Sequence, residues 1–421
     1  MNGIRVTTLP NGLRVATDPV ETVETASVGV WVEAGSRFEA ARMNGISHFL
    51  EHMVFKGTAR RDARAIAEEI EAVGGHINAH TSREYTAFFA KVLKDDVPLA
   101  VDIIADILQE PAIDAGELDR ERSVVLQEIM QSLDTPDDLI FDRFQETAFP
   151  AQALGRPVLG SPRLIRGMPR ETMLRYREDH YAAPRMVLAA AGRVDHDQVV
   201  ALAEAAFAGL SAGAGKTRKK ASYEGGDWRD ERDLEQVNFV LGFAGLGYRD
   251  PDFYALSVLS TLLGGGMSSR LFQEVREKRG LVYSIYTFPA SYSDIGVFGI
   301  YAGTGEDEVG ELVPLVCEEL VKVTRGVGED EIARARAQLK SSVLMSLEST
   351  SSRCEQLARQ LMVFGRPIPV AEAVAKIEAV DAEAVERVAR RVLASKPTVA
   401  SLGPIGKLEP YDRIVERLRF A

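Results

Sequence analysis

The sequence predicts an α+β protein in which one α/β sandwich, an antiparallel-rich sheet packed by helices, is made twice. Three observations predict it. Strand patterns and helix patterns come in separate runs, a polar stretch splits the chain near its middle, and the order of elements repeats on either side of that stretch. The 421 residues are 46% hydrophobic and 27% charged. That balance suits a globular chain of two or three domains at roughly 150 residues each.

In the first half, residues 26–32 (ASVGVWV) read as a strand followed by Ala34-Gly35; in the second, residues 237–243 (VNFVLGF) precede Ala244-Gly245. An apolar helical segment comes next in each half, at residues 46–55 and 253–263. An amphipathic helix then ends at glycine, 62–73 before Gly74-Gly75 and 268–279 before Gly280, the glycines acting as C-caps. A strand pair follows each, with alternation in 85–92 (YTAFFAKV) and in 296–302. Two longer helical patterns follow in both halves, including 114–133 and 330–347. The repeat reads as an internal duplication. Two unrelated α+β domains are the alternative, because residue identity between the halves is weak. The stretch 211–232 (SAGAGKTRKKASYEGGDWRDER) has no apolar period and reads as a linker. The expected domains are therefore 1–210 and 235–421, joined by 211–234.

No apolar run approaches the roughly 18 residues needed to span a bilayer. The start, Met1 to Val6 (MNGIRV), lacks the pattern of a secretory signal. Cys317 and Cys354 are too few for a disulfide framework or a thiolate zinc site, so a reducing cytoplasm is expected. Fifty Lys and Arg against 62 Asp and Glu give a net charge of −12, which argues against a nucleic-acid or anionic-membrane surface. It leans toward cationic ligands, although solubility alone explains many acidic chains.

Four of the six histidines fall within residues 48–80, and the second half has none. His48-Phe49-Leu50-Glu51-His52 is the strongest local signal. On a helix His48 and His52 share one face, and Glu51 lies within the same arc of roughly 100°. Ile46, Phe49, Leu50, Met53, Val54 and Phe55 fill the rest of the circumference, so this helix should be buried nearly all round. Two buried imidazoles and a carboxylate without partners would cost several kcal/mol. Zinc bound by the histidines resolves that cost; a pair of hydrogen-bonded core histidines is the alternative.

A catalytic zinc needs a third protein ligand and an open position. In the helical pattern 114–133, Glu121 and Glu128 are seven apart and stack on one face beside Val124 and Val125, aimed at the core. From that helix alone a pair of snorkelling or salt-bridged glutamates is the better reading. His76 and His80 also share one face of an extended segment, with no carboxylate nearby, and read as surface histidines. His180 and His196 are isolated. Gly264-Gly265-Gly266 lacks the P-loop ending and reads as a flexible connection, and no GxSxG elbow is present.

HFLEH is an H-x-x-E-H motif, the mark of inverzincins. With Glu128 in ERSVVLQEI about 75 residues on, and Leu9-Pro10-Asn11-Gly12-Leu13 near the start, the chain resembles the pitrilysin (insulinase) metallopeptidase family over essentially its whole length. It is most similar to the short-chain branch that holds the processing peptidases. The resemblance implies one Zn2+ per chain on His48, His52 and Glu128, with Glu51 as general base for the attacking water. It makes Glu121 an assisting or histidine-orienting carboxylate. Asn78 and Ala79 match the edge strand that pairs with substrate backbone. Arg276 and Tyr283, in REKRGLVY, match an arginine–tyrosine pair that holds the substrate. Asp138 and Asp142, one helical turn apart, match a carboxylate pair that receives an arginine; a solvated acidic helix start is the alternative. The family fold further implies two halves enclosing a chamber, a homodimer, and basic peptides or unfolded segments as substrates. Rival readings are a noncatalytic scaffold of the same fold and a subunit that binds basic peptides without cutting them.

Overall fold

A computed structural model describes residues 3–213, 215 and 217–420. Met1, Asn2 and, within the expected linker, Ala214 and Lys216 lie outside the described residues, as does Ala421. The chain forms two compact units. The first holds Met1–Gln131, Arg156–Lys219 and Met345–Pro369, and the second holds Ser132–Gly155, Lys220–Leu344 and Val370–Ala421.

The first unit carries strands β1 (Arg5–Thr8), β2 (Arg14–Pro19), β3 (Thr25–Val32), β4 (His76–Thr81), β5 (Thr86–Leu93) and β6 (Met186–Gly192). They are ordered β1-β2-β6-β3-β5-β4, so β4 is an edge. Only β2 and β6 run parallel; the other neighbours are antiparallel. In the second unit β7 (Gly226–Glu231), β8 (Val237–Gly245), β9 (Val282–Ser291), β10 (Gly296–Thr304) and β11 (Thr398–Gly403) are ordered β7-β11-β8-β10-β9. Here β7 and β11 are the parallel pair. Apart from β1, the two sheets have the same order and the same parallel step, which is the expected duplication.

The strand and helix expectations hold closely. Residues 26–32 lie in β3 and 237–243 in β8, and the apolar helices are Ile46–Val54 and Phe253–Gly264. Helix Ala63–Ala72 is capped by the Asp62 side chain, and Gly74 follows it at φ +70°. Its counterpart is shorter than expected: only Phe272–Glu277 is helical beyond a brief lead-in, with π-type hydrogen bonding, before Gly280 at φ +65°. The stretch 211–232 is not all linker. Its end forms β7, which the apolar period missed because GDWRDE is an edge strand with Asp227, Arg229 and Asp230 rather than alternating apolar residues. The triple glycine is not a loose connection either. A Cβ on Gly264 would stand 2.5 Å from Thr287 N and one on Gly265 2.6 Å from Thr261 Cα, so these glycines permit close packing.

Each unit is completed by a helix from the other half of the sequence. Helix Thr350–Phe364 lies against β2, β3 and β6, packing Cys354, Leu357, Ala358 and Leu361 onto Ala16, Trp31, Val187 and Ala189. Helix Val97–Gln109 also packs on β3 and β5. Being covered on both faces explains why β3 is almost continuously apolar. In the second unit helix Pro136–Ala148 packs Leu139, Ile140 and Phe144 onto β8 and β11, with the Phe144 ring seated over Gly242. Among the described residues no helix is long and apolar enough to cross a membrane.

Candidate active site

Helix Ile46–Val54 buries Ile46, Phe49, Leu50, Met53 and Val54 completely, as its all-round apolar pattern requires. Its start is held by a buried carboxylate. Glu39 Oε2 accepts from Gly45 N and Asn44 Nδ2, and Oε1 accepts from Ser47 N, each at 2.8 Å. Burial pushes the Glu39 carboxyl above its ordinary range, and these bonds offset part of that shift. Gly45, at φ +96°, makes the turn into the helix; a Cβ there would stand 2.7 Å from the Leu159 carbonyl oxygen. The Ser47 hydroxyl is hydrogen-bonded to Tyr176 Oη at 2.7 Å, fixing the buried side.

The remaining arc presents His48, Glu51 and His52. The two Nε2 atoms lie 3.2 Å apart. Glu128 Oε2, from helix Ala115–Asp134, stands 3.6 Å from His48 Nε2 and 3.4 Å from His52 Nε2. Zinc–nitrogen bonds of about 2.0–2.1 Å in tetrahedral geometry separate ligand atoms by about 3.3–3.4 Å. The three atoms therefore form one face of such a tetrahedron, leaving its fourth corner for water or substrate. Among the described residues this is the group of metal-type side chains that converges.

The protonation pattern fits a cation. His52 Nδ1 donates to Glu121 Oε1 at 2.8 Å, and Glu121 Oε2 accepts from Lys56 Nζ at 2.7 Å. With its proton on Nδ1, His52 aims a lone pair into the site. Burial and then the neighbouring His52 push the His48 imidazole down to about 3, so His48 is neutral near pH 7. His48 Nδ1 is buried and unpartnered, so nothing holds the His48 proton on the far side of the ring or bars its Nε2 from facing a cation together with His52 Nε2.

Glu51 lies beside this triangle, half-buried. Its Oε2 accepts from the Thr81 hydroxyl at 2.5 Å. Burial raises the Glu51 carboxyl, while Thr81 and then His52 pull it back. Glu121 is buried and Glu128 is half-exposed with 39% of its side chain open, so the site faces solvent on the Glu128 side. Val125 is buried as expected but Val124 is exposed, because the buried stripe of this helix runs through Leu118, Glu121, Val125 and Ile129.

The other sequence candidates fall elsewhere. Asn78 and Ala79 lie on edge strand β4, with Asn78 exposed and its Oδ1 accepting from Ala79 N at 2.8 Å. His76 is exposed, and His80 packs edge-on against Tyr85 and Phe89. His196 is buried between the hydroxyls of Thr7 and Thr17, and His180 is buried against Tyr176. Asp138, Asp142, Arg276 and Tyr283 belong to the second unit. Asp138 is exposed in the first turn of its helix, and Asp142 is half-buried one turn on. Arg276 sits in the π-type turn over the Phe272 ring, and Tyr283 is 83% exposed on β9. Sequence reasoning missed Thr81, Lys56 and Glu39. Their only signal is tertiary contact.

Glu121→Gln keeps the shape but removes the charge shared by His52 and Lys56. It is expected to weaken zinc affinity about 10- to 100-fold, measured by competition with a chelating dye. An affinity within about threefold of the parent would contradict the orienting role.

Residues 14–162 match the family model of insulinase (peptidase family M16), and 167–339 match the M16 inactive domain. A probable mitochondrial-processing peptidase subunit beta of Arabidopsis thaliana is 42% identical, over 98% of this chain and 81% of that protein. An uncharacterized zinc protease of Streptomyces coelicolor is 40% identical, over 96% and 90%. A solved protease of Helicobacter pylori, 24% identical, shares the fold with a TM-score of 0.88, covering 96% of this chain and 99% of that one. The chain belongs to the insulinase family of peptidases, M16.

Proposed function

We propose that this peptidase is a zinc-dependent endopeptidase with its chemistry on His48, His52, Glu128 and Glu51. The triangle of two Nε2 atoms and one carboxylate oxygen, with sides of 3.2, 3.4 and 3.6 Å, carries this reading. Zinc is the metal that such imidazole and carboxylate ligation suits. A zinc held there supplies Lewis acidity toward a water and the scissile carbonyl. Glu51 takes the proton of the attacking water and delivers it to the leaving amine. Glu121, braced by Lys56, keeps His52 in the tautomer that leaves Nε2 free.

Substrates are peptides or unfolded basic segments. The open edge of β4 at Asn78 and Ala79 faces no neighbouring strand and suits strand addition, with Ala79 N held by the Asn78 side chain until a peptide replaces it. Asp138 and Asp142 share one helix face, which suits an arginine guanidinium. Family resemblance assigns Arg276 and Tyr283 to holding the substrate, and suggests a homodimer. The free, buried Cys317 and Cys354 accord with a reducing compartment, and we place the protein in a bacterial cytoplasm.

An arginine-containing peptide incubated with the zinc-loaded protein should be cut, the cuts should stop on chelation, and mass spectrometry should place them beside the arginine. Chelator-sensitive cuts elsewhere would discard the Asp138–Asp142 assignment and keep the enzyme. No cleavage would favour the scaffold or peptide-binding readings.

A further inference from the structure

We propose that Thr81 is a positioning residue that ties the general base to the substrate-pairing strand, so that Glu51 is aimed and the peptide is registered by one element. This deepens the endopeptidase reading and rests on it. Thr81 is the last residue of β4, the strand with the open edge, and is paired on its inner side with Thr86 of β5. Its hydroxyl has one proton, and that proton is committed to Glu51 Oε2 at 2.5 Å.

The partner hydroxyl cannot compete for Glu51. Thr86 is fully buried, donates its own proton to the Ala34 carbonyl at 2.8 Å, and leaves its oxygen 3.4 Å from Thr81 Oγ1. Thr81 is thus held by a rigid, paired strand end while it holds the carboxylate. With Oε2 engaged, proton transfer falls to Oε1, and rotation about the last torsion of Glu51 is removed before substrate arrives. Orientation of this kind is where a reacting group gains most over a freely rotating one.

The same strand fixes the peptide. Asn78 and Ala79 are three and two residues from Thr81, roughly 10 and 7 Å along a strand that rises about 3.3 Å per residue. A peptide paired to that edge is set at a constant offset from the base. Side chains at 77, 79 and 81 point to one face of the sheet, and helix Ile46–Val54, which carries Glu51, packs on β4.

Thr81→Val keeps the β-branch and volume but removes the hydroxyl; Thr81→Ser restores a hydroxyl. Each full-length variant is loaded with zinc and compared with the parent for metal content, melting temperature, kcat and KM. Thr81→Val is expected to bind zinc and melt like the parent, keep KM within about twofold, and lose about 10- to 100-fold in kcat. Thr81→Ser should recover most of that loss. The proposal is overturned if Thr81→Val turns over like the parent, if it loses zinc, or if Thr81→Ser is as impaired as Thr81→Val. A zinc-loaded parent that cuts no peptide overturns the endopeptidase reading itself, an outcome distinct from a parent that cuts equally with and without the Thr81 hydroxyl.

Discussion

Glu51→Gln is expected to bind zinc as the parent does and to lose peptide turnover by at least the about 10²- to 10⁴-fold that a general base contributes. The amide keeps the size of the carboxylate and keeps an oxygen for the Thr81 hydroxyl. His48, His52 and Glu128 are untouched, so metal content should not change. What is lost is the ability to accept a proton. Metal analysis beside initial rates on one peptide checks both halves of the expectation. Turnover within tenfold of the parent, with zinc bound, would remove Glu51 from the role of base.

His52→Ala is expected to cost more zinc affinity than Glu121→Gln, because on the proposed reading it removes a ligand rather than the group that orients one. The loss should exceed the about 100-fold typical of orienting partners. It also strips Glu121 of the imidazole it holds, leaving a buried carboxylate with Lys56 alone. Taking one donor from a buried carboxylate costs stability as well. Dye competition and a melting curve read the two effects separately. Unchanged zinc affinity in this variant would place the metal elsewhere.

Local pattern made the metal helix legible. His48, Glu51 and His52 fall on one arc of one short helix, so spacing alone brings them together, and the all-apolar surroundings signal burial. Glu121 and Glu128 could be placed on a common face, but which carboxylate reaches the histidines depends on how two helices pack. Resemblance, not periodicity, singled out Glu128. The ordering of Glu121 behind His52 and Glu128 beside both then follows from the structure. Thr81, Lys56 and Glu39 escaped because each acts across a tertiary contact. Thr81 and Glu51 are 30 residues apart and on different kinds of element.

The duplicated order of strands and helices was legible for the same local reason. Helix Thr350–Phe364 and helix Pro136–Ala148 both follow the helical period, yet nothing in that period says which sheet covers their apolar faces. Each packs on the sheet built mainly from the other half of the sequence, so contiguous domains describe the repeat and not the packing. β7 was hidden by its charge. An edge strand needs backbone partners on one side only and can carry Asp and Arg where a central strand carries Val and Phe.

The most direct test of the account is a zinc titration of the chelated protein, with cleavage of one unfolded peptide followed at each addition. Cleavage is expected to be absent without metal, to rise in proportion to zinc and to saturate at one zinc per chain, with no rise in His52→Ala. Cleavage that persists without metal, or that saturates in His52→Ala as in the parent, would contradict it.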